Sequence, residues 1–119
     1  LIYMKSYNHC KSSVHKFGGE EDDYLEIHQW FDETKNHYGD IRHRALRHHT
    51  LGIQQCEEKF GVYIYNSDGK KVITRSIAEQ HIREDLGFIP SVQDWLKCIK
   101  PELWMESTKR VKTAKMHLG

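Results

Sequence analysis

Nine of the 119 residues are histidine, and five of them (His28, His37, His43, His48 and His49) fall within 22 consecutive positions. A buried imidazole must find partners for both ring nitrogens, so histidines at inward positions imply either a hydrogen-bonded network or a bound metal ion. The remaining composition narrows what can surround them. Hydrophobic residues are 38% of the chain and charged residues 29%. That is a single globular domain lean in apolar mass, with three Trp, six Tyr and four Phe supplying much of the buriable area.

A net charge of +1 argues against nucleic acid as the main partner. No apolar run approaches the roughly 20 residues needed to span a bilayer, and Leu1-Ile2-Tyr3-Met4-Lys5 opens no signal-peptide core. Membrane association is therefore not expected. Cys10, Cys56 and Cys98 are odd in number and far apart, which fits neither a disulfide framework nor a zinc ribbon. The reducing cytoplasm is the expected compartment.

Periodicity points to an α+β fold, mostly helical. Residues 1–19 show no clear period and end at Gly18-Gly19, consistent with a loop or short helix. Four acids, Glu20 to Asp23, open a helix whose apolar positions are Tyr24, Ile27, Phe31 and Tyr38. Asp40 is placed to cap a second, longer helix running to Phe60, with Gly61 as its stop. These two form an expected antiparallel pair. Val62-Tyr63-Ile64-Tyr65 and Val72-Ile73-Thr74 flank Asn66-Ser67-Asp68-Gly69, a hairpin signature. Ser76-Ile77-Ala78-Glu79 reads as a capping box opening a third helix that ends at Gly87, and Ser91 opens a short fourth before Pro101. Residues 1–106 form the expected domain. Residues 107–119, with Lys109, Arg110, Lys112 and Lys115 unopposed by acids, read as a basic mobile tail. Deleting that tail should leave the melting temperature unchanged.

Helical spacing places several histidines inward. His48 shares a stripe with Ile41, Ala45 and Cys56, and His49 lies between Leu46 and Ile53. His28 sits between Tyr24 and Phe31 with Asp32 at i+4, and His81 has Asp85 at i+4. His28, Asp32, His48, His49, His81 and Asp85 are thus candidate ligands for a divalent metal such as Zn, Mn or Ni. Neither His-Glu-x-x-His nor an adjacent His-Asp pair is present, so neither the metalloprotease helix nor the HD-type phosphohydrolase signature applies. The competing reading is a core network of hydrogen-bonded histidines. His43 flanks the inner stripe and is left open. His37 and His117 read as exposed, while His9 and His15 lie in polar, non-periodic sequence.

Arg44 and Arg47 alternate with these histidines and are candidates to clamp an anionic substrate, whereas Arg42 reads as a surface partner of nearby acids. Tyr63 and Tyr65 share a face and are expected to pack into the core rather than to stack on bases. Trp95, Trp104 and Met105 are expected to join the core or cover the end of the bundle. No cysteine has a thiolate-activating setting.

Phe17-Gly18-Gly19, Ile27-His28-Gln29-Trp30-Phe31-Asp32, Arg42-His43-Arg44-Ala45-Leu46-Arg47-His48-His49, Glu79-Gln80-His81, Glu84-Asp85-Leu86-Gly87 and Asp94-Trp95-Leu96 together resemble a small domain-of-unknown-function family of bacteria and their phages. The resemblance runs from about Tyr7 to Met105 and implies a stand-alone domain. It supplies no activity, cofactor or catalytic residue.

Two functions fit these residues. The first is a metal-dependent hydrolase acting on a phosphate ester, with a small anionic substrate held by Arg44 or Arg47. The second is a non-catalytic interaction domain with a protein partner and a buried histidine network, whose stability would depend on pH near ~6.5.

Overall fold

In the computed structural model the described residues are 2–106, with side chains described from Ser6 onward. The expected tail, residues 107–119, lies outside them. The fold is α+β and mostly helical, as the sequence implies: α1 (Ile2–Phe17), α2 (Asp22–Asp32), α3 (Thr50–Phe60), a hairpin of β1 (Tyr63–Tyr65) and β2 (Lys71–Ile73), α4 (Thr74–Leu86) and α5 (Val92–Leu96). Single 3₁₀ segments cover Glu33–Asn36, Ile41–Leu46 and Leu103–Met105.

The first helix is far longer than its hydropathy suggests. Its buried stripe is Ser6, His9, Cys10 and Ser13, a row of small and polar residues at helical spacing, flanked by Tyr7, Val14 and Phe17, which pack against the core. Gly18 and Gly19, at φ of 83° and 75°, reverse the chain so that α1 packs against α2. Antiparallel contacts follow: Ser6 bonds Asp32, and Ser13 bonds His28. The hairpin turn docks on this reversal. Gly19 N–H donates to Asp68 at 2.8 Å, and buried Asn66 donates to Phe17 O and to the Tyr24 hydroxyl oxygen.

The helix expected over residues 40–60 is broken. Asp40 does cap, accepting from Arg42 N–H at 2.9 Å, but it starts a 3₁₀ segment that ends at Leu46. A tight turn through Arg47 and His48 follows, and α3 begins at Thr50 with His49 as its cap. Ile41 and Leu46, assigned inward by helical spacing, are 71% and 52% exposed. The antiparallel helix pair is therefore α1 with α2. The break is held by Gly52: a Cβ there would lie 1.7 Å from the Arg47 carbonyl oxygen, so only glycine lets the turn pack onto α3.

The hairpin pairs Tyr63 with Ile73, Ile64 with Val72 and Tyr65 with Lys71. Val72 enters the core. Tyr63 and Tyr65 form an edge-to-face pair on the outer face, 41% and 65% exposed, contrary to the expected core packing. Helix α4 runs straight out of β2, with Thr74 N–H donating to Val62 O, so Ser76 and Glu79 lie inside the helix rather than at its cap. Gly87 ends it in the left-handed region, as expected. Ser91 and Asp94 form a reciprocal capping box on α5. Trp104 and Met105 are exposed rather than in the core, and Trp95 is half-buried, its indole N–H donating to His48 O at 2.8 Å.

Helix α4 is the hub, touching α1, α2, α3 and the hairpin. Its buried face carries Ile77, Ala78, Gln80, His81 and Ile82, which join Tyr24, Ile27, Phe31, Ile53 and Cys56 in the core. The polar side of that face meets α1 and α2, and there the histidines gather.

Candidate metal centre

Four elements deliver the cluster. Helix α1 brings His9 and Ser13, α2 brings His28 and Asp32, the turn before α3 brings His48, and α4 brings Gln80, His81, Glu84 and Asp85. His28, His48 and His81 are fully buried, and Asp32 is 3% exposed. His81 is the central ring. It lies 3.9 Å from His9, 5.1 Å from both His28 and His48, and stacks on Phe31 at 4.9 Å, all centroid to centroid.

The hydrogen-bond network fixes where the protons are. Gln80 uses its amide N–H₂ on His9 O and Glu84 Oε1. Its Oε1 therefore accepts from Ser13 Oγ at 2.7 Å. With its only hydrogen spent, Ser13 Oγ accepts from His28 Nε2–H at 2.8 Å. His28 is neutral, because burial together with the neighbouring His81 and His9 holds its pKa well below the usual value. Its bare Nδ1 accepts from His81 Nδ1–H at 2.9 Å. His81 Nε2 is then aimed at two carboxylate oxygens, Asp32 Oδ1 at 3.2 Å and Asp85 Oδ2 at 3.3 Å. A bare lone pair there would face two anions. Nε2 meets these oxygens through a proton or through a metal ion.

Asp85 gathers the rest. Its Oδ2 meets His48 Nε2 at 2.9 Å, its Oδ1 meets His9 Nε2 at 3.2 Å, and Arg44 Nη2 stands 3.8 Å away. Burial opposes its ionisation, but hydrogen bonds from His48, His81 and His9 outweigh that and hold its carboxyl far below the usual range. Asp32 is shifted the same way, burial being outweighed by His81 and Ser6. His48 is pushed down to about 4, chiefly by burial, so it is neutral at pH 7. Its Nδ1 has no hydrogen-bond partner. For His9, burial is outweighed by Asp85 and by Glu84, which lies 2.8 Å from Nδ1, and the pKa rises. His9 lies in polar, non-periodic sequence that assigns it no clear role, yet it bridges two carboxylates. Its legible signal is the Ser6, His9, Ser13 spacing on α1.

Ligand atoms of Asp32, His48, His81 and Asp85 all lie within 4.8 Å of one another, so the four could hold a metal ion. The edge of a tetrahedron with ligands at about 2.1 Å is about 3.4 Å, and the contacts of 2.9–3.3 Å given above need only small adjustments. His28 faces the far edge of His81 and does not reach this group. His49 is elsewhere: its Nδ1 accepts from Gly52 N–H at 2.9 Å as the cap of α3. Of the two arginines, Arg44 is beside the cluster. Arg47 stacks on Trp30 at 4.2 Å and bonds Trp30 O and Glu33.

A cavity of about 230 Å³ adjoins the cluster, lined by Asp32, Lys35, Gly39, Asp40, Ile41, His43 and Arg44. Asp32 thus belongs to both. His43 is buried, its Nδ1 donating to Thr34 Oγ1 at 2.7 Å, since the Thr34 hydroxyl hydrogen faces the carbonyls of Phe31 and His43. Arg44 Nε is buried without a hydrogen-bond partner.

Fold and site define a small α+β domain built around a buried histidine–aspartate cluster with the donor set of a divalent-cation centre. The chain belongs to the family described as a domain of unknown function, DUF6915, whose model matches residues 4–105. No curated protein and no solved structure matches it. Among the described residues no helix is long and apolar enough to cross a membrane.

Proposed function

We propose that this domain holds a divalent cation (Zn, Mn or Ni) at Asp32, His48, His81 and Asp85 and hydrolyses a small phosphate ester. The observation that carries the reading is His81 Nε2, aimed at once at the carboxylates of Asp32 and Asp85, with His48 Nε2 on the same Asp85 oxygen. Two imidazoles and two carboxylates are a mixed N/O set suited to borderline cations. Binding through His48 Nε2 moves that ring's proton to Nδ1, where no partner waits. The orphaned donor costs roughly 1–3 kcal/mol. Coordination free energies of order 10 kcal/mol at structural zinc sites exceed that.

A bound ion would polarise a phosphoryl oxygen and make water acidic enough to attack at neutral pH. The chain supplies the rest. Lys35 and Arg44 give the cavity two cations, and an anionic substrate oxygen would satisfy the unpartnered Arg44 Nε. Asp40, also on the wall, is neutralised by Arg42 at 2.7 Å. Arg47, bound to Trp30 and Glu33, is not assigned to substrate.

The test is elemental analysis of tag-free protein, followed by hydrolysis of 4-nitrophenyl phosphate with added Zn²⁺, Mn²⁺ or Ni²⁺. Stoichiometric metal, activity abolished by EDTA or by Asp32→Asn, and a raised KM in Arg44→Lys are expected. No bound metal and no shift in melting on adding any of the three ions would overturn the reading.

A second reading is favoured by the surface. Leu96, Ile99, Leu103, Trp104 and Met105 are 45–65% exposed within one C-terminal stretch. Such a run suits a non-catalytic domain that binds a protein partner, with the histidines as its buried network. One stoichiometric partner, captured by a preparation free of metal, would favour it.

A further inference from the structure

We infer that the clustered rings of His9, His28 and His81 form a second cation site, joined to the centre proposed above through His81. The two sites share that residue, and the experiment below separates them. Each of the three histidines offers a ring nitrogen within 4.8 Å of the others, and all three are buried. The two nitrogens of His81 serve opposite edges of the ring. Nε2 faces Asp32 and Asp85, while Nδ1 meets His28 Nδ1 at 2.9 Å.

Two rings of the trio, His28 and His81, are already oriented toward each other by groups on their other sides. His28 is held by Ser13 on Nε2, leaving the Nδ1 lone pair toward the site. His9 has Glu84 on Nδ1 and Asp85 on Nε2, so to bind it gives up one of these contacts and that nitrogen's proton to solvent, while the other nitrogen stays tied to its carboxylate. Imidazoles oriented in this way by a hydroxyl or carboxylate are the usual arrangement at histidine metal sites. Glu84 is in turn fixed by Gln80 and Ser12.

The cation takes the place of the proton shared between His28 Nδ1 and His81 Nδ1, which leaves for solvent. The N–N separation must open from 2.9 Å to about 3.4 Å, the tetrahedral edge for ligands at about 2.1 Å. Three imidazoles and no carboxylate make this the softer, more zinc- or copper-like of the two sites. When both are filled, His81 is a bridging imidazolate. The ions then stand roughly 6 Å apart, since each Zn–N or Cu–N bond adds about 2 Å to the width of the ring.

The test uses the full chain, tag-free and stripped with EDTA, loaded with Zn²⁺ and desalted. Wild type should retain two ions, His28→Gln one, His48→Gln one, and His81→Gln none. A parallel measurement needs no variant. Loaded with two Cu²⁺, the wild-type protein should lose most of its integrated EPR signal, because an imidazolate bridge couples the two spins. Wild type holding one ion, unaffected by His28→Gln, would overturn the second site and leave the first standing. One ion lost in His28→Gln but kept in His48→Gln would support the three-histidine site and overturn the proposed centre. Two Cu²⁺ giving their full uncoupled signal would overturn the inference.

Discussion

Replacing Asp85 with asparagine tests the cluster at its centre. The change is nearly isosteric but removes the charge and one acceptor. Asp85 Oδ2 serves His48 at 2.9 Å and His81 at 3.3 Å, while Oδ1 serves His9 at 3.2 Å. An asparagine that keeps its oxygen toward His48 turns its N–H₂ toward His9 Nε2, two donors face to face, unless His9 gives up a proton. The opposite orientation places N–H₂ against both His48 and His81. Removing one partner of a buried charge-assisted set costs about 3–5 kcal/mol. For a chain of this size, at about 4 °C per kcal/mol, the metal-free protein should melt about 12–20 °C lower. Thermal unfolding followed by circular dichroism in EDTA measures this directly, and elemental analysis of the same variant should show the ion of the proposed centre gone. A melting point in EDTA within about 2 °C of wild type would refute the reasoning, because it would mean the carboxylate does not hold the three rings.

Stability of the metal-free protein should rise with pH between about 4 and 6.5. There the unfolded chain protonates His48 while the native state, with its pKa of about 4, does not. The difference is worth roughly 3 kcal/mol across that window, and His48→Gln should flatten it; His9, raised by Asp85 and Glu84, contributes oppositely, its stabilisation present below 6.5 and lost as pH rises through its folded pKa. His49→Ala should cost about 1 kcal/mol by removing the cap of α3, His49→Asn should recover most of it, and neither should change metal content. Loss of metal in both would make His49 a ligand instead of a cap. Gly52→Ala sets a Cβ 1.7 Å from the Arg47 carbonyl oxygen and should exceed the ~1–3 kcal/mol usual for overpacking, seen as insoluble or markedly less stable protein. A variant that melts normally would show that the turn does not lie on Gly52.

Local chemistry was legible wherever a short stretch of chain sets its own conformation. The hairpin at Asn66-Ser67-Asp68-Gly69, the left-handed stop at Gly87 and the Ser91–Asp94 box all follow from turn and cap preferences that act within four residues. So does the inward placement of His28 and Asp32, one turn apart on α2. Periodicity failed where polarity and burial part company. Helix α1 buries Ser6, His9 and Ser13 beside Tyr7, Cys10, Val14 and Phe17, and hydropathy does not mark the polar members, whose partners are side chains 26, 75 and 67 residues away. It failed again at residues 40–60, where spacing extended one helix through a point that packing breaks. Gly52 was the available sign, a glycine in an otherwise helical run, but its meaning depends on the Arg47 carbonyl lying against it. The same break separates two adjacent histidines into different tasks, His48 in the cluster and His49 at the cap. The sequence determines which side chains can carry a charge or accept a proton. Only the tertiary structure decides which of them meet, because the cluster is assembled from four separate elements whose approach is fixed by packing around α4.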